Sequence, residues 1–229
     1  MARVGIRAAF TSVLAFVGSC GSKAIDQVTP ETCVKPADPG CRIAVHENSF
    51  VRWAGPGTDK TAGGASTAVV RHEPGRFCMS GTVDPGASGL GWGALLALGL
   101  DEVDESNKVV LSFDASALGV EQIRFNVETP PSSGALVEVT QIQSAGCTQI
   151  PDCVTTFGRT GLVATPGIFT VPLTDFNLPD DSHPNATLDR ALMTGVHFHV
   201  PTSPGMAVGY AFCVTSLAFL DGSGHEITP

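Results

Sequence analysis

Ile123-Arg124-Phe125-Asn126-Val127-Glu128 and Val196-His197-Phe198-His199-Val200 decide the fold. In each stretch apolar residues alternate with polar ones. Successive side chains on a β-strand point to opposite faces, so each stretch predicts a strand with one face in a core and the other turned to solvent or ligand. Outward from these, the first run extends over Glu121–Glu128. Short apolar or alternating runs recur at Phe77–Thr82, Gly93–Leu100, Val109–Asp114, Leu136–Gln143, Phe169–Leu173 and Val208–Leu220. Turn formers separate them at Asp84-Pro85-Gly86, Pro130-Pro131-Ser132-Ser133-Gly134 and Ser203-Pro204-Gly205. Helix is expected only as a turn or two over Thr187–Met193, with Leu188, Leu192 and Met193 inward. Short, punctuated strands predict an all-β, antiparallel sandwich or barrel.

The chain has 229 residues, with 13 Lys and Arg against 22 Asp and Glu, a net charge of −9. Such a charge repels phosphate backbones, so no nucleic-acid partner is expected. The first residues read as an export signal: Arg3 and Arg7, an apolar run from Ala8 to Val17, then small residues. Removing Arg3 and Arg7 with that leader leaves 11 basic against 22 acidic residues, net −11. Val17-Gly18-Ser19-Cys20 resembles the lipobox of bacterial lipoproteins. That resemblance implies cleavage before Cys20, lipidation of its thiol and a membrane partner through the acyl chains. The other reading is an ordinary signal cleaved without lipidation. Gly21 stands where an inner-membrane retention aspartate would be, which points to the outer membrane or cell surface. The expected organisation is a signal over 1–19, a tether over 20–45 rich in Pro, Asp, Lys and Thr, and one β-domain over 46–229, with 55–66 a Gly-rich flexible loop.

The order of segments resembles the jelly-roll carbohydrate-binding modules with a galactose-binding-like fold, in a form common in secreted myxobacterial proteins. FCMSGTV and GWGALLALGL match an opening strand pair, VEQIRFNVE the strand after a tight turn, and ALVEVTQIQSAGCTQIPDC a strand with a cysteine-bearing loop. GIFTVPLTDFNLP, LDRALMTGVHFHV and YAFCVTSLAFL follow in the family's order, over roughly residues 45–221. The resemblance implies an antiparallel jelly-roll sandwich and a polysaccharide partner. Many relatives hold a structural calcium ion with an acidic pair in the closing strand; here that stretch is Val214-Thr215-Ser216, so no cofactor is expected. In such a sandwich the strands carrying Cys78 and Cys213 run close together, which implies a bridge between them. Cys147–Cys153 pins a loop and Cys33–Cys41 closes a turn in the tether, although six cysteines allow 15 pairings.

His197 and His199 share one strand face, the arrangement that offers two metal ligands, but no carboxylate follows in Pro201-Thr202-Ser203-Pro204 and no metal site is expected. The same face would suit a ligand if Arg124, Asn126 and Glu138 stand on neighbouring strands, since these side chains hydrogen-bond sugar hydroxyls. A sugar ring stacks on an aromatic face. Trp53 is the candidate platform, Trp92 reads as core, and Tyr210 fits either place. No catalytic residues are expected. Gly86-Ala87-Ser88-Gly89 lacks the spacing of a nucleophile elbow, and the acids at 101–105 and 180–181 read as solvated turns. The sequence thus predicts a non-catalytic surface domain that binds an extracellular ligand, carbohydrate first. The alternative is a structural or protein-binding lipoprotein of the envelope.

Overall fold

A computed structural model describes residues 31–35, 42–45, 47, 49–87, 89, 91–100, 102–104, 109–143, 154–159, 161–179 and 184–229. The strands in chain order are β1 (Glu31–Lys35), β2 (Ile43–Ala44), β3 (Trp53–Thr58), β4 (Thr67–Glu73), β5 (Arg76–Val83), β6 (Gly93–Gly99), β7 (Glu102–Asp104) and β8 (Val109–Leu111). After them come β9 (Gln122–Glu128), β10 (Leu136–Ile142), β11 (Val154–Gly158), β12 (Gly167–Pro172), β13 (Leu178–Pro179), β14 (Met193–Pro201), β15 (Val208–Leu220) and β16 (Glu226–Ile227). The first sheet runs β1-β4-β5-β15-β9-β12, with β16 beside β15; the second runs β13-β11-β10-β14-β6-β3-β2. All pairings are antiparallel, and β7 and β8 form a separate hairpin. The chain is an all-β jelly-roll sandwich.

The two alternating stretches explain why the sheets pack. Ile123, Phe125 and Val127 of β9 are buried, as are Val196, Phe198 and Val200 of β14, and all six belong to one core. Phe125 meets Phe198 edge to face, ring centroids 5.1 Å apart. Burying a side chain of this size is worth about 1.5–3 kcal/mol. In β15, Val214 and Phe219 both face inward although five residues apart. A bulge between Thr215 and Ala218, with Ser216 at φ 55°, restores the phase.

The sandwich also takes in chain that the sequence assigns elsewhere. β1 pairs with β4 along its whole length, and Ile43 and Val45 are buried in the core, so these residues of the expected tether are part of the domain. Residues 55–58 of the expected loop are the strand β3, laid against β6. Pro56 is tolerated because β2 reaches only Trp53 and Ala54, which leaves β3 paired on one side at that point among the described residues. The expected helical turn is a single 3-10 turn, Arg190–Leu192, capped by the Asp189 side chain, which accepts from the Ala191 amide.

Cys78 and Cys213 are directly opposed on β5 and β15 and form a disulfide, Cα atoms 4.0 Å apart. Their neighbours Phe77, Met79, Phe212 and Val214 point into the core, so the bridge lies on the outside of the first sheet. Cys20, Cys41, Cys147 and Cys153 lie outside the described residues, and with them the lipid anchor and the two other expected bridges.

Candidate ligand-binding site

Registered partners share a face, so the outside of the second sheet reads row by row. Thr156, Thr140, Gly195, Gly99 and Trp53 form one row across β11, β10, β14, β6 and β3. Gly158, Glu138, His197, Ala97 and Gly55 form the next, and Leu136, His199, Leu95 and Gly57 the third. Gly195, Gly99, Ala97, Gly55 and Gly57 give parts of this face little or no side chain. Of the four expected candidates here, Trp53 marks one side, three strand spacings or roughly 14 Å from Thr140, and Glu138, His197 and His199 stand together on the other.

The indole of Trp53 lies over Gly99, where a Cβ would overlap it. The Arg42 guanidinium covers the ring with Cζ 4.1 Å from its centroid, a cation–π contact. His199 has an acceptor at each ring nitrogen. Nδ1 is 3.0 Å from Glu138 Oε1, and Nε2 is 2.9 Å from the Trp92 carbonyl. A neutral imidazole donates once, so two acceptors favour the imidazolium. Burial pushes the His199 pKa down, but the hydrogen bond and charge of Glu138 and the Trp92 carbonyl outweigh it, and the net shift is upward. His197 goes the other way. Burial lowers its pKa to about 4, against the pull of Glu138 and with the push of His199. The face therefore sets His199, whose protonated form Glu138 and the Trp92 carbonyl favour, beside a His197 that is neutral at pH 7 and can both donate and accept.

The structure separates the other two candidates from this group. Arg124 and Asn126 alternate with core residues of β9 and so lie on the outside of the first sheet. Arg124 Nη2 pairs with Glu226 Oε2 at 2.6 Å, and Asn126 Nδ2 donates to Thr215 Oγ1 at 2.9 Å. Trp92, expected in the core, is only half-buried and stands edge-on to His199 at 5.4 Å. Tyr210 is in the core; its hydroxyl donates to the Thr67 carbonyl at 2.9 Å, and burial raises its pKa. Val214 is taken up by the core, and Thr215 accepts a hydrogen bond from Asn126. Among the described residues no group of three or more His, Cys, Asp or Glu is placed to hold a metal ion.

Sequence reasoning missed Arg42, Thr140, Trp92 and Asp59. Asp59 follows β3 and is fully buried. Its carboxylate accepts from the Ser66 amide at 3.1 Å, the Ser66 hydroxyl at 3.0 Å and the Gly93 amide at 2.8 Å. It ties the turn after β3 to the start of β6 beneath the Trp92 end of the face. The signal available for the face was the run Gly93, Leu95, Ala97, Gly99, whose mostly small residues at every second position mark a low surface.

No protein-family model matches the chain, and comparison with curated proteins finds no relative. Among solved structures the chain is similar to the family 11 carbohydrate-binding module of the cellulosomal cellulase Lic26A-Cel5E of Clostridium thermocellum, at 11% identity and a TM-score of 0.41, over 77% of this chain and 91% of that one.

Proposed function

We propose that this protein is a non-catalytic carbohydrate-binding domain whose ligand lies across the outside of the second sheet. One observation carries the reading. A single face brings an aromatic ring, Trp53, together with Glu138, His197 and His199, side chains that exchange hydrogen bonds with hydroxyls. A pyranose needs both an apolar surface for its C–H face and directional polar groups for its rim. Arg42 places a cation over the ring. Glycoside hydrolysis needs two carboxyl groups facing one bond. Here Glu138 is tied to His199, and Asp59 is enclosed by the donors of Ser66 and Gly93. We place the domain on an exported lipoprotein held through Cys20 at the outer membrane or cell surface, on the strength of the leader and the lipobox-like stretch. A glycan array with the mature protein tests the ligand. Palmitate labelling that is lost in Cys20→Ala tests the anchor. A stoichiometric envelope protein recovered from membranes, with no glycan bound, would replace this reading with a structural one.

A further inference from the structure

Both sides of the Trp53 indole are occupied. One lies on Gly99, where a Cβ would overlap it. The other faces Arg42, whose Cζ stands 4.1 Å from the ring centroid. Arg42 reaches the ring from the edge of the second sheet. Ala44 of β2 is registered with Trp53, and the intervening Ile43 is buried in the core, so Arg42 takes the same outer side as Trp53. The group that this end of the face turns outward is therefore the guanidinium. Stacking on a ring engages only its flat side. Its five N–H donors lie in the plane, at the edge, in the fork that matches a carboxylate. Arg42 is exposed, and among the described residues no carboxylate pairs with it.

The charge of this face departs from that of the chain. The protein has 22 acidic against 13 basic residues. The three rows of the face hold one carboxylate, Glu138, and it is paired with His199. Glu138 stands on β10, three strand spacings or roughly 14 Å from β3, farther than a Debye length of about 8 Å at physiological salt. Its charge does little to offset that of Arg42.

We propose that the sugar bound at the Trp53 end of the face is a uronate, its carboxylate paired with Arg42, within a chain whose other units are neutral. This rests on the carbohydrate reading above and adds the class of sugar. A carboxylate in the guanidinium plane accepts two parallel hydrogen bonds and meets an opposite charge, and a hydroxyl in the same place does neither. The indole serves by holding the guanidinium flat, so Trp53 remains part of the site. Toward β10 the chemistry changes. The neutral His197 suits hydroxyls, and Glu138 repels a second carboxylate. A continuous run of uronates would also meet the negative field of the whole protein.

The test is calorimetric titration of the mature protein with two acidic probes, the hyaluronan tetrasaccharide and a glucuronate-bearing tetrasaccharide from glucuronoxylan. Each is run beside the neutral sugar made by reducing its carboxyl group to an alcohol. At least one acidic probe should bind roughly three- to tenfold more tightly than its reduced form at low salt, the worth of one charge-assisted pair at an exposed position. The preference should shrink in about 0.5 M sodium chloride. Arg42→Gln should stay folded, by its melting curve, and bind both forms of that probe with the affinity the parent has for the reduced one. Arg42→Lys keeps the charge without the fork and should retain part of the preference. Equal affinity for acidic and reduced forms in the parent protein, or a preference that survives in Arg42→Gln, overturns the proposal and leaves the carbohydrate reading standing. No binding of any of the four sugars overturns the proposal and counts against that reading as well.

Discussion

The rings of Phe125 and Phe198 meet edge to face at 5.1 Å, one from each sheet. Because they face each other, the polar residues that alternate with them point away from each other. Arg124 and Asn126 are thereby set on the outside of one sheet and His197 and His199 on the outside of the other. Phe125→Ala and Phe198→Ala should each destabilise the domain by about 3–5 kcal/mol. The double variant should cost less than their sum by about 0.5–1.5 kcal/mol, the part that belongs to the ring pair. Denaturant unfolding of the four proteins measures this.

The His199–Glu138 pair should show in a titration. The folded pKa of His199 lies above its unfolded value near 6.5, so the pair's contribution to stability is complete below 6.5 and is lost as pH rises through the folded pKa. Glu138→Gln should move the His199 pKa down and cost about 2 kcal/mol just below pH 6.5, where the contribution is complete. Proton NMR of the imidazole signals checks both.

His197 should act in the opposite direction. Its folded pKa of about 4 lies below the unfolded 6.5, so its contribution is present above 6.5 and is lost as pH falls toward 4. His197→Gln should therefore flatten the loss of stability between pH 6.5 and 4, measured as melting temperature across that window.

Asp59 should be the most sensitive single position near the face. Asp59→Ala leaves the Ser66 and Gly93 amides without their acceptor and the Ser66 hydroxyl with only the Asp84 carbonyl at 3.3 Å. A loss of at least about 3 kcal/mol is expected, with Asp59→Asn intermediate because one oxygen remains. Chemical denaturation of the pair of variants gives the comparison.

The alternating stretches around Phe125 and Phe198 made the strands and their polar faces legible, because period-two patterning is local. Which strand joins which sheet is not local, and nothing within Ile123–Glu128 marks it as the neighbour of β15 rather than β14. Arg124 was grouped with His199 for that reason. β3 was missed because Trp53-Ala54-Gly55-Pro56-Gly57 carries turn residues. Leu95 leaves no room for a Cβ at Gly57, and the strand tolerates Pro56 where it is paired on one side. The Cys78–Cys213 bridge followed from the expected closeness of two strands, and the register confirms it. Asp59 left no pattern to read, since its three donors come from residues 7 and 34 positions away.

The account's central claim is that ligand binds across the outside of the second sheet. Affinity electrophoresis of the mature protein through gels containing its glycan, with Trp53→Ala, His197→Ala and Arg124→Ala alongside, tests it most directly. The account predicts that the polysaccharide retards the parent protein and Arg124→Ala alike, while Trp53→Ala and His197→Ala run unretarded. Retardation that is lost only in Arg124→Ala, or that no polysaccharide produces in the parent protein, would contradict it.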